Sequence, residues 1–328
     1  MGRRVLAGER FDRPDILRLV QAAKDEPLDL LHWAARVRTR RFGNAVKLCA
    51  IVPGKLGGCG EDCRWCAQSG ACGAEAAKPS RTGLADIRNA AGQAAACGAA
   101  SFGIVNSGRR PSARDLEEVA GAFGAIRRDG KWNLQCCASL GELTDAQARR
   151  LVAAGITRYN HNLETSRRFF PQVVTTHTYE DRMRTLVAAR EAGLSLCCGG
   201  IFGLGETWED RIDLALALRD EVGPDVVPMN FLHPIPGTAL EKATPLPPME
   251  ILSIIALFRL VLPGADLKIA GGREANLRDL QSWMFHAGGT SCVIGNYLTT
   301  CGRKAQEDLQ MIRDLGLRVV RELPKAPA

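Results

Sequence analysis

AVKLCAIVPGKLGGCGEDCRWCAQSG, residues 45–70, begins as an apolar, β-prone run over 45–51 and ends in a loop that carries Cys59, Cys63 and Cys66 in the spacing Cys-x3-Cys-x2-Cys. Three thiolates on one tight loop can hold three corners of a 4Fe-4S cubane and leave the fourth iron open to bind something else. A structural zinc site normally closes with four ligands, and a complete iron–sulfur site normally has cysteine at every iron. A zinc loop or unligated buried thiols are the plainer alternatives, because cysteine is often just a small buried hydrophobe.

The same alternation of short apolar runs with amphipathic stretches continues to residue 294. It predicts strands over 45–51, 101–105, 133–138, 157–161, 195–199, 225–231, 266–270 and 291–294. Between them lie helices such as 146–154, 179–192, 208–222 and 249–261. Thr144 with Gln147, Thr178 with Asp181 and Thr207 with Asp210 have the spacing of N-terminal capping boxes. Gly155 and Gly193 stand where a left-handed residue ends a helix. Alternating strands and helices imply a parallel sheet, and eight units imply an α/β fold of the closed (β/α)8, TIM type. The expected organisation is an N-terminal helical extension over 1–43, the barrel over 44–300 and a short C-terminal helical extension over 301–328. The segment TPLPPME, 244–250, reads as a loop entering a helix, not a domain boundary.

A chain of 328 residues, 46% apolar and 24% charged, can bury a sizeable core. No run approaches the roughly 18–20 apolar residues of a membrane span, and the start MGRRVLAGERFDRP lacks the apolar stretch of a secretory signal, so a cytoplasmic protein without membrane contact is expected. Twelve cysteines, several adjacent or in a metal-like motif, fit thiols kept reduced for metal better than a disulfide framework. The net charge of +7 comes from scattered basic residues, of which Arg38, Arg40 and Arg41 form the only tight group. With three Tyr and no strand of stacking aromatics, solvated faces are expected and nucleic acid is not.

In such a barrel the active site gathers at the C-terminal ends of the strands. The cysteine loop follows the first strand, Asn160, His161 and Asn162 end the fourth, Cys197 and Cys198 end the fifth, and Asn230 ends the sixth. Glu164 is placed to accept from ribose hydroxyls or to cap the following helix. Arg182 can pair with a carboxylate or stand solvated in a first helical turn. The glycines of GGIFGLGET, 199–207, would let backbone approach a ligand closely.

The cysteine spacing, with Trp65 just before the last Cys, resembles the signature of the radical S-adenosylmethionine superfamily. CGEDCRWCAQS, YNHNLETS, VTTHTYEDR, GGIFGLGETWEDR, VPMNFLHPIPGT, GGREANLRDLQ and GNYLTT follow one another as in the biotin synthase family, a similarity running from about residue 30 to residue 317. The resemblance implies a 4Fe-4S cluster on Cys59, Cys63 and Cys66, S-adenosylmethionine on the open iron, and insertion of sulfur into dethiobiotin. It places Asn160, Asn162 and Asn230 on the ureido ring of that substrate, and amides suit such a ring because they both donate and accept. It also places Asn162 and Trp65 near the nucleoside cofactor, Glu164 on its ribose, Arg182 near its methionine carboxylate, and Thr299 and Thr300 on the substrate's valerate carboxylate. An external one-electron donor, iron–sulfur assembly machinery and a homodimer are implied as well.

The family's second, auxiliary iron–sulfur cluster is held by three Cys and one Arg. Cys137 and Cys197 match two of these ligands, but Gly103 stands at the remaining Cys position and Lys268 at the Arg position. A protonated lysine has no lone pair to offer iron. The chain therefore has either a variant auxiliary cluster or a chemistry without sulfur insertion. Cys198, and further away Cys72, Cys292 and Cys301, are candidate extra ligands. Strand alternation lets at most one of Cys136/Cys137 and one of Cys197/Cys198 face the lumen unless the strand has ended. Three functions follow: a biotin synthase, a related radical enzyme acting on another small substrate without sulfur insertion, and a non-catalytic metal-binding scaffold barrel.

Overall fold

The computed structural model describes residues 1–324. Eight parallel strands form its centre: β1 (Ala45–Leu56), β2 (Ser101–Asn106), β3 (Gln135–Ser139), β4 (Arg158–Asn160), β5 (Ser195–Cys197), β6 (Val226–Phe231), β7 (Asp266–Ile269) and β8 (Ser291–Val293). The ring closes where β8 pairs with β1, Lys47 opposite Ser291 and Cys49 opposite Val293. Helices between the strands cover the outside, so the expected (β/α)8 barrel is present, and all eight expected strands are found within a few residues of their predicted limits. Among the described residues no helix is long and apolar enough to cross a membrane.

Local chemistry sets the helix ends. Thr144, Thr178 and Thr207 each close a reciprocal capping box with Gln147, Asp181 and Asp210, and Gly155 and Gly193 turn the chain at φ of 81° and 94°. The helix predicted over 208–222 is α-helical only over Trp208–Ala217 and widens to a π turn at Leu218–Val222. The fifth strand is shorter than expected: it stops at Cys197, and the chain resumes as Gly200–Phe202 beside β6. Gly199 and Gly200 permit this step. A Cβ on Gly199 would lie 2.0 Å from the Pro228 carbonyl oxygen, and one on Gly200 2.5 Å from that of Glu164. These two glycines let strands approach one another, not a ligand, which corrects the reading of the glycine-rich segment.

Residues 1–43 hold three helices, Gly2–Leu6, Arg13–Asp25 and Pro27–Phe42. The C-terminal segment corrects a second expectation. Beyond helix Ala305–Asp314 it carries a strand, Arg318–Val320, which pairs in parallel with Ala45–Lys47 of β1. Positions 325–328 of that expected extension lie outside the described residues. Arg38, expected on a solvated face, is 3% exposed and donates to the carbonyls of Gly43, Ala45 and Gly289. Arg259 does the same for Leu262, Pro263, Ala265 and Gly288. Each guanidinium supplies fixed donors to carbonyls that have left the ladders, at the N-terminal end of the barrel.

The lowest layer of the lumen is charged. Lys47 pairs with Asp266 at 2.6 Å, Ser291 and Thr290 donate to the same carboxylate, and Arg158 donates to Ser195. Burial alone would raise the Asp266 pKa, but Lys47 and the two hydroxyls outweigh it and hold it below the ordinary value. Asp266→Asn should therefore destabilise the barrel by about 3–5 kcal/mol at neutral pH, because it leaves the Lys47 ammonium uncompensated. A depressed carboxylate stabilises above its unfolded pKa of about 3.9 and loses that contribution as pH falls through the folded value. The gap between wild type and variant in urea unfolding should accordingly narrow on acidification below about pH 4, and a constant gap would contradict the assignment.

Candidate active site

The residues singled out at the strand ends surround one cavity of about 310 Å³ at the C-terminal mouth of the barrel. Cys59, Cys63, Trp65 and Cys66 enter from the loop after β1, Asn160, Asn162 and Glu164 from the end of β4, Arg182 from helix Tyr179–Glu191, and Asn230 from β6. The loop is shaped by its own backbone: the Cys66 amide donates to the Cys63 carbonyl at 2.9 Å, Gly70 donates to Cys59, and Cys59 bridges Ser69 as a one-residue strand pair. Asp62 ties it to the far wall by accepting from the Thr175 and Thr176 amides.

All three loop thiols are partly exposed to the cavity. Burial pushes the Cys63 thiol up and the Cys66 thiol up to about 11, so without metal both are neutral, and coordination is what displaces such protons. Among the described residues no three His, Cys, Asp or Glu side chains converge as a single ion would require. Three loop thiols match a cubane with one open iron, whereas a structural zinc would take four protein ligands. Cys72 does not join it, since its thiol points to the carbonyls of Ser69 and Cys66.

Five buried polar atoms around the cavity have no partner: Asn106 Oδ1, Asn160 Oδ1, His161 Nε2, Glu164 Oε2 and Arg182 Nε. Native interiors rarely leave such atoms unpaired, so five around one space mark a site for a polar ligand. Glu164 sits at φ 68°, held by its bridge to Gly200, with Arg182 at 3.6 Å. Burial raises its pKa against the opposing pull of Arg182 and Asn162. Arg182 is buried, not solvated, and donates to the Asn162 carbonyl at 2.9 Å. Asn162 Oδ1 accepts from Gly199, while Asn230 accepts from Gly271 and donates to Gly200. Each amide keeps donor capacity for a ligand.

Glu61, Arg109, Glu142 and His177 line the cavity without having been singled out in the sequence, and His161, placed there at the end of the fourth strand, had been given no role. His161 is fully buried and held neutral, its pKa pushed well down by burial and then by Arg182 and His177. Glu61 pairs with His177, and Glu142 with Arg109, along the rim. The signal for Glu61 lay inside the cysteine loop itself. Thr299 and Thr300 are not brought to the cavity: they belong to an outer turn in which the Tyr297 amide donates to Thr300. Cys198 is also excluded. With Cys136 and Cys292 it packs in the helix-facing core, and Cys301 is exposed. Cys137 and Cys197 lie in the lumen beneath the cavity, where Lys268 forms part of its floor and its ammonium stands 3.2 Å from the Cys197 sulfur.

Comparison with known proteins agrees with this geometry. The family model of the Radical SAM superfamily matches residues 55–218, and that of the Biotin and Thiamin Synthesis associated domain matches residues 228–318. A biotin synthase of Heliobacterium modesticaldum is 48% identical over 318 residues, 96% of each chain. One from Trichlorobacter lovleyi is 47% identical over 325 residues, 97% of this chain and 95% of the other. Among solved structures, a methylornithine synthase superposes with a TM-score of 0.84 over 97% of both chains at 18% identity, which shows the shared fold. The cysteine loop, the barrel that presents it and the near full-length identity together establish that this chain belongs to the biotin synthase family of the radical SAM superfamily.

Proposed function

We propose that this chain inserts sulfur into dethiobiotin to give biotin, the final step of biotin biosynthesis, with a 4Fe-4S cluster on Cys59, Cys63 and Cys66 and S-adenosylmethionine in the cavity beside it. The observation that carries the reading is the convergence of three loop thiols and five unpartnered buried polar atoms on one cavity. When bound, the reduced cluster and S-adenosylmethionine supply a 5′-deoxyadenosyl radical able to take hydrogen from unactivated carbon.

The chain's own residues bind, orient and exclude water. Arg182 takes the methionine carboxylate with its free Nε, Glu164 accepts from the ribose, and Trp65 and Asn162 border the nucleoside. Asn160 offers an unpartnered carbonyl oxygen to a ureido N–H, while Asn162 and Asn230 offer the N–H groups their backbone contacts leave over. Thr299 and Thr300 lie outside the cavity of about 310 Å³, so their assignment to the valerate carboxylate rests on the GNYLTT match and requires that arm of the substrate to reach past the cavity to the segment after β8. Cys137 and Cys197 would hold a second iron–sulfur cluster, which would supply the sulfur. The reading requires an external one-electron donor and iron–sulfur assembly machinery. It places the protein in the cytoplasm, consistent with twelve free thiols, and family resemblance supports a homodimer.

Gly103 and Lys268, at two of the family's auxiliary ligand positions, favour one competing reading: a radical enzyme on another small substrate without sulfur insertion. Product analysis separates them, since 5′-deoxyadenosine formed with dethiobiotin but without biotin selects the competitor. Cys63→Ala should reduce cleavage of S-adenosylmethionine to background under anaerobic reducing conditions, and full 5′-deoxyadenosine production by that variant would remove the radical assignment. Asn230→Ala should weaken dethiobiotin binding by about 1–3 kcal/mol, roughly 5- to 150-fold, with a smaller effect on S-adenosylmethionine. Equal losses for both ligands in calorimetric titration would mean that Asn230 serves the loops it ties together and not the ureido ring.

A further inference from the structure

Twelve cysteines sort by position into four groups of three. Cys59, Cys63 and Cys66 line the mouth, Cys136, Cys198 and Cys292 face the helices, and Cys72, Cys97 and Cys301 are partly or fully exposed outside the barrel lumen. Cys49, Cys137 and Cys197 remain, all buried, and all on strands at lumen-facing positions. Cys49 drew no notice in the sequence because it sits in the middle of an ordinary apolar strand.

These three residues come from β1, β3 and β5, and Lys268 comes from β7. A (β/α)8 lumen is filled by layers of four side chains contributed by alternate strands, and Cys49, Cys137, Cys197 and Lys268 make one such layer. The Lys268 ammonium lies 3.2 Å from the Cys197 sulfur and 4.0 Å from that of Cys49. Among the described residues it has no carboxylate partner. A buried ammonium with only thiols for company is costly, and the cost is met when the thiols are anionic ligands of a bound group. The layer beneath cannot supply that charge, because Asp266 is already paired with Lys47. At Gly103, on β2, a Cβ would lie 3.3 Å from Ile51 and 3.7 Å from the Cys137 Cβ, so no thiol approaches from that strand.

We propose that Cys49 is the third thiolate ligand of the second iron–sulfur cluster, replacing the missing cysteine at position 103 from the neighbouring strand, and that Lys268 is a positioning cation beside that cluster, not a ligand. The inference rests on the proposed sulfur-inserting function and specifies how its sulfur source is held.

The test uses the anaerobically reconstituted full-length chain. Iron and acid-labile sulfide per chain are measured with Mössbauer and electron paramagnetic resonance spectra for wild type, Cys49→Ala, Cys49→Ser, Cys136→Ala and Lys268→Met. Wild type and Cys136→Ala should hold iron beyond the four atoms, roughly, of one cubane. Both Cys49 variants should fall to about that single complement, while still forming 5′-deoxyadenosine from S-adenosylmethionine, which shows that the barrel has folded. Lys268→Met should keep its iron with the second cluster's reduction potential moved to more negative values, since a nearby cation no longer favours the added electron. Wild-type iron and spectra in both Cys49 variants would overturn the proposal and leave the sulfur-inserting function standing. A wild type with one cluster alone would overturn both. Loss of the second cluster in Lys268→Met but in neither Cys49 variant would give the ligand role to the amine.

Discussion

A closed ring of parallel strands allows each strand residue two destinations, the lumen or the helix layer, and a shift by one residue exchanges them. The pairing of β8 with β1 fixes that choice for the whole molecule, because an eight-stranded ring cannot slip at one seam without moving the rest. Adjacent cysteines show the rule at work: Cys137 and Cys197 enter the lumen while Cys136 and Cys198 pack outward. The stack of a charged layer, a thiol layer and an open mouth follows from alternation along the strands, with no separate device for each residue.

Most of this frame was legible in the sequence because its signals are local. Threonine caps, glycines at helix ends and short apolar runs each act within a few residues, and the three-cysteine loop carries its meaning in its spacing. What was not legible depends on partners far along the chain. Arg38 looked like part of a basic surface, yet its acceptor is the carbonyl of Gly289. Gly199 and Gly200 looked ready for a ligand, yet strand carbonyls fill the space beside them. Cys49 needed the same inside-or-outside argument that separated Cys136 from Cys137, applied to a strand whose composition gave no prompt. Thr299 and Thr300 show the converse, since motif resemblance named them and the fold leaves them outside the cavity.

The electrostatics of the lumen make sense of its occupants. Arg182 and Lys268 face the cavity from its wall and its floor, and Arg158 lies lower in the barrel, while burial pushes the Cys63 and Cys137 thiols up, so that these two keep their protons until coordination displaces them. A site with fixed cations and convertible thiols favours ligands that bring negative charge, such as carboxylates and thiolate-bound clusters. It also resists collapse in their absence, because Arg182 and Asn162 are already tied to backbone.

The charged layer at the base has a consequence for traffic. Lys47, Asp266 and Arg158 pack the lumen below the thiols, and Arg38 and Arg259 tie up loose carbonyls at the same end. A second cavity, of about 860 Å³, opens at that end and reaches Lys47, Arg158 and Asp266 from outside, so the charged layer stands between two openings. A group entering from below would have to part Lys47 from Asp266, whereas one entering by the mouth meets the thiols directly, so resupply of the chamber by way of the mouth disturbs fewer contacts.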